Sequence, residues 1–230
     1  AGLVYGHGTA TAFDEAAFLI LHTLHLPVDQ LEPWMDCRLL ISERQAVQQI
    51  IEARIATRKP APYLTKQAWI QGQSFYVDER VIVPRSYIGE LLAGDLEGIA
   101  PEPASIRSIL DLCTGSGCLA ILAALRFGDA KVDASEISSD ALAVAGINVR
   151  DYRLEDRIEL VRSDLFTGLD GRRYDLILSN PPYVDGDAVA AFPPEYAAEP
   201  ELAHAGGAGG LDMVRRILSE ASKHLTPNGV

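Results

Sequence analysis

Residues 179–183, Ser-Asn-Pro-Pro-Tyr, follow directly on the apolar run Tyr174-Asp175-Leu176-Ile177-Leu178. Two consecutive prolines cannot extend a strand, because neither has a backbone N–H and each fixes φ, so the chain must turn abruptly there. The turn carries groups with chemistry. The Asn180 amide oxygen can accept one N–H of a planar amino or amide nitrogen, and the Pro181 carbonyl can accept another. Pro182 fixes the elbow, and Tyr183 offers a ring to lie against the acceptor plane. Two acceptors draw electron density onto the nitrogen and hold its lone pair toward an electrophile, which is catalysis by positioning and electrostatics. Asn180, Pro181, Pro182 and Tyr183 are therefore the candidate catalytic residues. An ordinary strand-to-loop turn would use the same four, so the remaining sequence decides.

Three other apolar runs end in residues with chemistry. After 108–112 comes Cys113-Thr114-Gly115-Ser116-Gly117, whose glycines allow a tight turn and close approach of a ligand to the backbone. Glu136 ends the next run about twenty residues on, where a carboxylate can take both hydroxyls of a ribose. Asp164 ends the third, where a carboxylate can accept from an adenine amine. Each alone reads equally as a plain turn or a carboxylate near a helix start, with Ser138 the cap after Glu136. In series they favour an adenosine-containing ligand. The missing third glycine of GxGxxG argues against NAD. A methyl sulfonium is already a strong electrophile, so an adenosine ligand carrying one would complete the chemistry of Asn180 without a catalytic His, Ser or metal. The five histidines are scattered without HExxH spacing, and no metal site is expected. Cys113 and Cys118 read as small packing residues, and Trp34 and Trp69 as core.

The elements that must hold these residues alternate regularly. The first 60 residues are helical in pattern: apolar Ala17, Leu21, Leu24 and Leu26 in one stretch, then Val47, Ile50, Ile51 and Ile55 in a second, with Ser42 in cap position. Residues 67–83 are rich in β-branched and aromatic residues and turn at 71–74, which predicts a hairpin. A helix is expected over 85–99 and a linker at 100–105. Strands at 108–112, 131–137, 158–164 and 174–180 then alternate with helices, the last at 211–225 with Leu211, Val214, Ile217, Leu218, Ala221 and Leu225 on one side. This is an α/β, doubly wound parallel sheet. The division expected is a helical N-terminal substrate-recognition domain (1–64), a β-hairpin linker (65–84) and a catalytic domain (85–230). Residues 226–230 would turn into a fifth strand, so the sheet reads as unfinished at Val230.

The 230 residues carry a net charge of −12, most of it after residue 80. Between Tyr183 and Val214 there is no Lys or Arg, while Asp185, Asp187, Glu195, Glu199, Glu201 and Asp212 lie there. That stretch reads as a solvated acidic loop or as a face for a basic partner, and it disfavours a phosphate-binding surface. No apolar run is long enough for a membrane span, and the first residues lack the pattern of a signal peptide. Three cysteines without a CxxC pair suit a reduced, cytoplasmic protein.

With "DLCTGSG", "SEIS", "SDLF" and "SNPPY" in this order, the chain resembles the class I S-adenosylmethionine-dependent methyltransferases, and more narrowly the HemK-like protein glutamine N(5)-methyltransferases. The stretch from Pro60 to Ser86 is similar to the hairpin that joins that family's helical domain to its Rossmann-like catalytic domain. "VYGHGTATAFDEA", "DLCTGSGC" and "VDERVIVPRS" resemble the branch that methylates a glutamine of large-subunit ribosomal protein L-three. In the release-factor branch glycine usually stands at the position of Cys113. The resemblance implies that Cys113, Thr114, Gly115, Ser116, Gly117, Glu136, Asp164 and Asn180 contact S-adenosylmethionine, with Leu165 beside the adenine. It implies that Asn180 to Tyr183 bind the substrate glutamine. L-three, a basic protein, is then the expected partner, with no direct nucleic-acid specificity and no membrane. Methylation of a release-factor glutamine, or of an adenine or guanine amine, are the alternatives. A nucleic-acid amine calls for a basic cleft, which the cation-free stretch after Tyr183 opposes. Ala208 stands where the family often has Asp.

Overall fold

A computed structural model describes residues 2–94, 96 and 103–230. The expected linker at 100–105 and the end of the helix expected over 85–99 fall partly outside these. Among the described residues the helices are α1 (Ala12–Thr23), α2 (Ile41–Thr57), α3 (Ala61–Thr65), α4 (Tyr87–Ala93), α5 (Cys118–Arg126), α6 (Ser139–Asp151), α7 (Gly186–Ala190) and α8 (Asp212–Ala221). The strands are β1 (Gln67–Ile70), β2 (Gln73–Tyr76), β3 (Ser108–Leu112), β4 (Lys131–Glu136), β5 (Ile158–Arg162) and β6 (Leu176–Ser179).

β3 to β6 form a parallel sheet in the order β5-β4-β3-β6. Ile109, Leu110 and Leu112 of β3 are fully buried, as a strand covered on both faces requires. Ile109, Val132 and Leu176 pack toward α4, α5 and α6; Leu110, Leu112 and Ile177 pack toward Ile217 of α8. The chain steps outward from β3 to β5 and returns to β6 on the other side of β3. That reversal opens a crevice at the strands' C-terminal ends, where ligands bind in open α/β sheets. The antiparallel hairpin β1–β2 is tied to the glycine loop by one side chain. Buried Asn148 of α6 accepts from the Tyr76 N–H (2.7 Å) and donates to the carbonyls of Tyr76 (3.0 Å) and Ser116 (2.8 Å). Residues 224–230 run beside β6, with Val230 bonded to Asp175 and Ile177, where a fifth strand is expected.

The structure corrects several expectations in the helical region. Ser42 does not cap α2: Leu40 is the N-cap, and its N–H is taken by Glu43 (2.7 Å). Ile55 is 49% exposed, while Arg54 takes the buried position because Glu15 of α1 meets its Nε at 2.8 Å. An ion pair thus occupies a seam that the apolar spacing assigned to hydrophobic contact. Trp34 and Trp69 are 37% and 43% exposed and are not core residues. In α8 the packed face is Met213, Ile217 and Ala221, at intervals of four; Leu211 and Leu218 are exposed.

The acidic stretch is also not simply solvated. Glu195 and Glu199 are buried. Glu195 accepts from the Val4 N–H (3.1 Å) and from Arg58 (2.7 Å). Glu199 accepts from the Val83 N–H (2.9 Å), from both Nη atoms of Arg85 (2.7 Å each), and lies 3.0 Å from His204 Nε2. Burial alone would raise the Glu199 pKa, but the Arg85 hydrogen bonds, together with the imidazoles of His204 (3.0 Å) and His7 (3.7 Å) close by, outweigh it and hold the carboxyl well below the usual carboxylate range. The folded state therefore gains stability from ionised Glu199 above the ordinary glutamate pKa, and loses it progressively as pH falls below about 4.5. Glu199→Gln leaves Arg85 short of its partner and is expected to cost about 3 kcal/mol at pH 7. The difference from wild type should shrink below about pH 4.5, which urea unfolding of both proteins at pH 7 and pH 4 would check.

Candidate functional site

The C-terminal ends of β3, β4, β5 and β6 surround a cleft of about 210 Å³. Cys113, Gly115, Glu136, Asp164, Leu165, Asn180 and Pro182 all line it, so residues from four separate strand ends are brought together. Leu112 pairs with Ser179 in the β3–β6 register, and the Ser179 hydroxyl donates to the Leu112 carbonyl (2.9 Å). The glycine loop and the Asn180 elbow therefore start side by side. Thr114, Ser116, Gly117, Pro181 and Tyr183 are not among the lining residues. Thr114 and Ser116 are buried under the loop, and Tyr183 is 63% exposed. Gly117 opens α5 at φ +79, where a Cβ would press on Ala145 of α6 at 3.2 Å; it serves close helix packing.

Gly115 sits at φ +55 with nothing within 4 Å of where a Cβ would be, so its backbone is open to a ligand. Cys113 and Leu165 also adopt positive φ (63° and 50°), a strained state that non-glycine residues hold only when their surroundings impose it. Glu136 Oε2 accepts from the Gly115 N–H (3.0 Å), and Oε1 from the N–H groups of Ile137 (3.0 Å) and Ser138 (3.1 Å). Three backbone donors fix this carboxylate at the cleft and leave it further acceptor capacity. Burial pushes the thiols of Cys113 and Cys118 up to about 12, which keeps them protonated and suits packing rather than nucleophilic roles.

Asp164 is not free: Nη2 of Arg216 lies 3.1 Å from both of its oxygens. Both side chains are nearly half exposed, so the pair is a weak, solvent-screened one. Asn180 is half-buried, and among the described residues its side-chain amide forms no hydrogen bond, so its acceptor is unspent. The sequence reading missed Met213 and Arg216 of α8 and Leu202, all of which line the cleft. The four-residue interval of Met213, Ile217 and Ala221 was the available signal. It also missed Asp111, fully buried at the end of β3, whose Oδ2 accepts from the Thr114 hydroxyl and the Ala120 N–H (3.0 Å). This carboxyl holds the glycine loop to the first turn of α5, satisfying an N–H that a helix start leaves without a partner.

The family described as Methyltransferase small domain matches residues 91–192. Ribosomal protein uL3 glutamine methyltransferases from Burkholderia pseudomallei and Neisseria gonorrhoeae are 54% and 56% identical to the chain, across all of it and 77% of their own length. The chain belongs to that family. The relative from Bordetella pertussis, 53% identical with the same coverage, carries the same description. Among solved structures, the hMettl16 catalytic domain in complex with the MAT2A 3'UTR hairpin 6 superposes with a TM-score of 0.50 at 20% identity, over 67% of this chain and 59% of that one. That likeness shows the methyltransferase fold alone. The chain is thus a class I methyltransferase, and its methyl donor is S-adenosylmethionine. The open backbone at Gly115, the fixed Glu136 carboxylate and the unspent Asn180 amide are compatible with that group. No helix of the described residues is long and apolar enough to cross a membrane.

Burial pushes the Asp111 carboxyl up to about 7, against the pull of the Thr114 hydroxyl and the Ala120 N–H. Its Oδ1 is buried with no hydrogen-bond partner, as suits a protonated acid. A carboxyl whose folded pKa is raised binds its proton more tightly than the unfolded chain does, so its contribution to stability falls as pH climbs from about 4 to about 7. Asp111→Asn should remove this slope. The stability of wild type relative to the variant is expected to decline by about 4 kcal/mol across that window, measured by denaturant unfolding at half-unit pH steps.

Proposed function

We propose that the chain transfers a methyl group from S-adenosylmethionine to the side-chain amide nitrogen of a glutamine in ribosomal protein uL3, the L-three of the sequence comparison. The observation that carries this reading is the placement of the unspent Asn180 amide on a cleft that also holds Gly115, Glu136 and Asp164. In it, Asn180 Oδ1 and the Pro181 carbonyl accept the two N–H bonds of the glutamine amide. Accepting both fixes the amide plane and concentrates electron density on the nitrogen. Pro182 keeps the elbow rigid, and Tyr183 covers the acceptor from outside. When bound, the sulfonium supplies an electrophilic methyl group. Glu136 holds the ribose hydroxyls, Asp164 accepts from the adenine amine, Leu165 lies beside the adenine, and the Cys113–Gly117 loop lets the ligand approach the backbone. The nitrogen sheds its proton to water after transfer, so no residue need act as a strong base.

In this reading residues 1–64 recognise the substrate, 65–84 link, and 85–230 catalyse, in the cytoplasm where ribosomal proteins are assembled. Two of the six acids that suggested a basic partner are internal, so the support from charge rests on exposed Asp187, Glu201 and Asp212 and on the absence of Lys or Arg from 184 to 213. The same absence disfavours a nucleic-acid substrate.

The test is methyl transfer from labelled S-adenosylmethionine onto unmodified uL3, an unmodified release factor and ribosomal RNA. Label on uL3 alone is expected, with kcat falling by about 10²–10³ in Asn180→Ala, the cost of removing one preorganised polar group from a transition state. Label on the release factor would keep the chemistry and change the partner; label on RNA would overturn the reading. In the same assay Glu136→Ala is expected to raise KM for S-adenosylmethionine by about tenfold or more, the value of one hydrogen bond to a charged group, with KM for uL3 little changed.

A further inference from the structure

The segment 205–210, Ala-Gly-Gly-Ala-Gly-Gly, folds back against the backbone of the acceptor elbow. Val184 donates to the His204 carbonyl (2.9 Å), and Gly206 donates to the Val184 carbonyl (2.9 Å). A Cβ on Gly206 would stand 2.8 Å from Tyr183 Cα, 2.9 Å from the Pro182 carbonyl oxygen and 2.5 Å from the Gly210 carbonyl oxygen. A Cβ on Gly210, which sits at φ +71, would overlap the Tyr183 carbonyl oxygen. These obstacles are all backbone, so none can swing aside as a side chain would. Asp185 clasps the same segment from the other end: its Oδ2 accepts from the Gly209 N–H (2.7 Å) and its Oδ1 from the Asp187 N–H (2.9 Å).

We infer that Gly206 and Gly210 are positioning residues for glutamine methylation. Their missing side chains let the segment press directly on Pro182 and Tyr183, and that contact fixes the elbow from which Asn180 and Pro181 present their acceptors. Proline alone does not do this, because it sets φ within the elbow but not where the elbow sits relative to the cleft. Asp185 acts in the same sense by holding the segment closed. The inference rests on the reading that Asn180 to Tyr183 hold the substrate amide.

The experiment compares Gly206→Ala with wild type in the uL3 assay, alongside the affinity for S-adenosylmethionine by calorimetry and the thermal midpoint. A displaced elbow should lower kcat by about 10- to 100-fold, the size of effect expected from a shift near 1 Å, while the S-adenosylmethionine affinity changes less than about threefold, since of its expected contacts only Asn180 is on the elbow, and Glu136 and the Gly115 loop are held by β4 and β3. Gly171→Ala is the strain control: it has φ +76 with nothing within 4 Å of a Cβ, lies before β6 and so at the opposite end of that strand from the elbow, and should lower stability with kcat unchanged. An equal loss of kcat in Gly171→Ala, or wild-type kcat in Gly206→Ala, would overturn the inference. Should Gly206→Ala fail to fold, Asp185→Ala decides, because it releases the segment without adding an atom; a kcat loss supports the inference and an unchanged kcat overturns it. Full activity of Asn180→Ala would instead show that the underlying reading of the elbow is wrong, a separate result.

Discussion

A carboxylate taken out of water must be surrounded by donors, and Glu199 has drawn its donors from distant parts of the chain. Arg85 and the Val83 N–H come from just beyond the hairpin and His204 from the loop that Glu199 itself belongs to, while His7, from the segment before α1, stands 3.7 Å away. Glu195 does the same with Arg58 and the Val4 N–H. The loop after the elbow thus has its two buried carboxylates satisfied only when the helical region and the hairpin are docked. Desolvation makes the arrangement all-or-none: any one donor alone would leave a buried charge underpaid by several kcal/mol. The elbow is consequently part of a three-way junction rather than an independent surface loop.

The sheet does the other half of the positioning, and by simpler means. Because β3 and β6 are adjacent and in register at Leu112 and Ser179, the loops that follow them leave the sheet at the same height. One carries the glycines, the other Asn180 and the prolines. The prolines stop β6 at Ser179, since neither can donate to a ladder. Asn148 then passes the position of the hairpin to the Ser116 carbonyl, so the hairpin also bears on the glycine loop.

Much of this was legible in the sequence, for a physical reason. Alternating strands and helices, the Ser138 cap and the polar residues at four strand ends that now line one cleft are all local signals, carried by residues within one turn or one strand of each other. What escaped was non-local. Arg54 and Ile55 were read by polarity alone, which put the isoleucine inside; Glu15, 39 residues away, and the Val4 carbonyl make the reverse stable. Glu195 and Glu199 were read as solvated for the same reason, their arginine partners lying 137 and 114 residues distant. The exposed Trp69 and the packed face of α8 show the complement: apolar content tells that a residue would gain from burial, not which neighbour arrives to bury it. Asp111 escaped because an acid inside "SILDL" carries no local mark of whether its carboxyl faces solvent or a loop.

Internal pairing also changes what the electrostatics of the cleft can argue. Removing Glu195 and Glu199 from the surface weakens the case that an acidic patch selects a basic partner. It leaves intact the stronger half of the argument, which concerns cations. The two arginines that line the cleft, Arg80 and Arg216, are each engaged by a carboxylate, Asp78 and Asp164. Burial of Asp78 pulls one way, but the Arg80 guanidinium dominates and lowers that carboxyl to about 2, so its pair persists through neutral pH. Binding to a phosphate backbone is powered by cations that can give up their counterions; Arg80 is held by Asp78, and Arg216 by the weaker, solvent-screened pair with Asp164. A planar amide asks for neither free cation nor free anion, only for two fixed acceptors. In the proposed reading that is the demand which the elbow, backed by glycine and anchored through Glu199, meets.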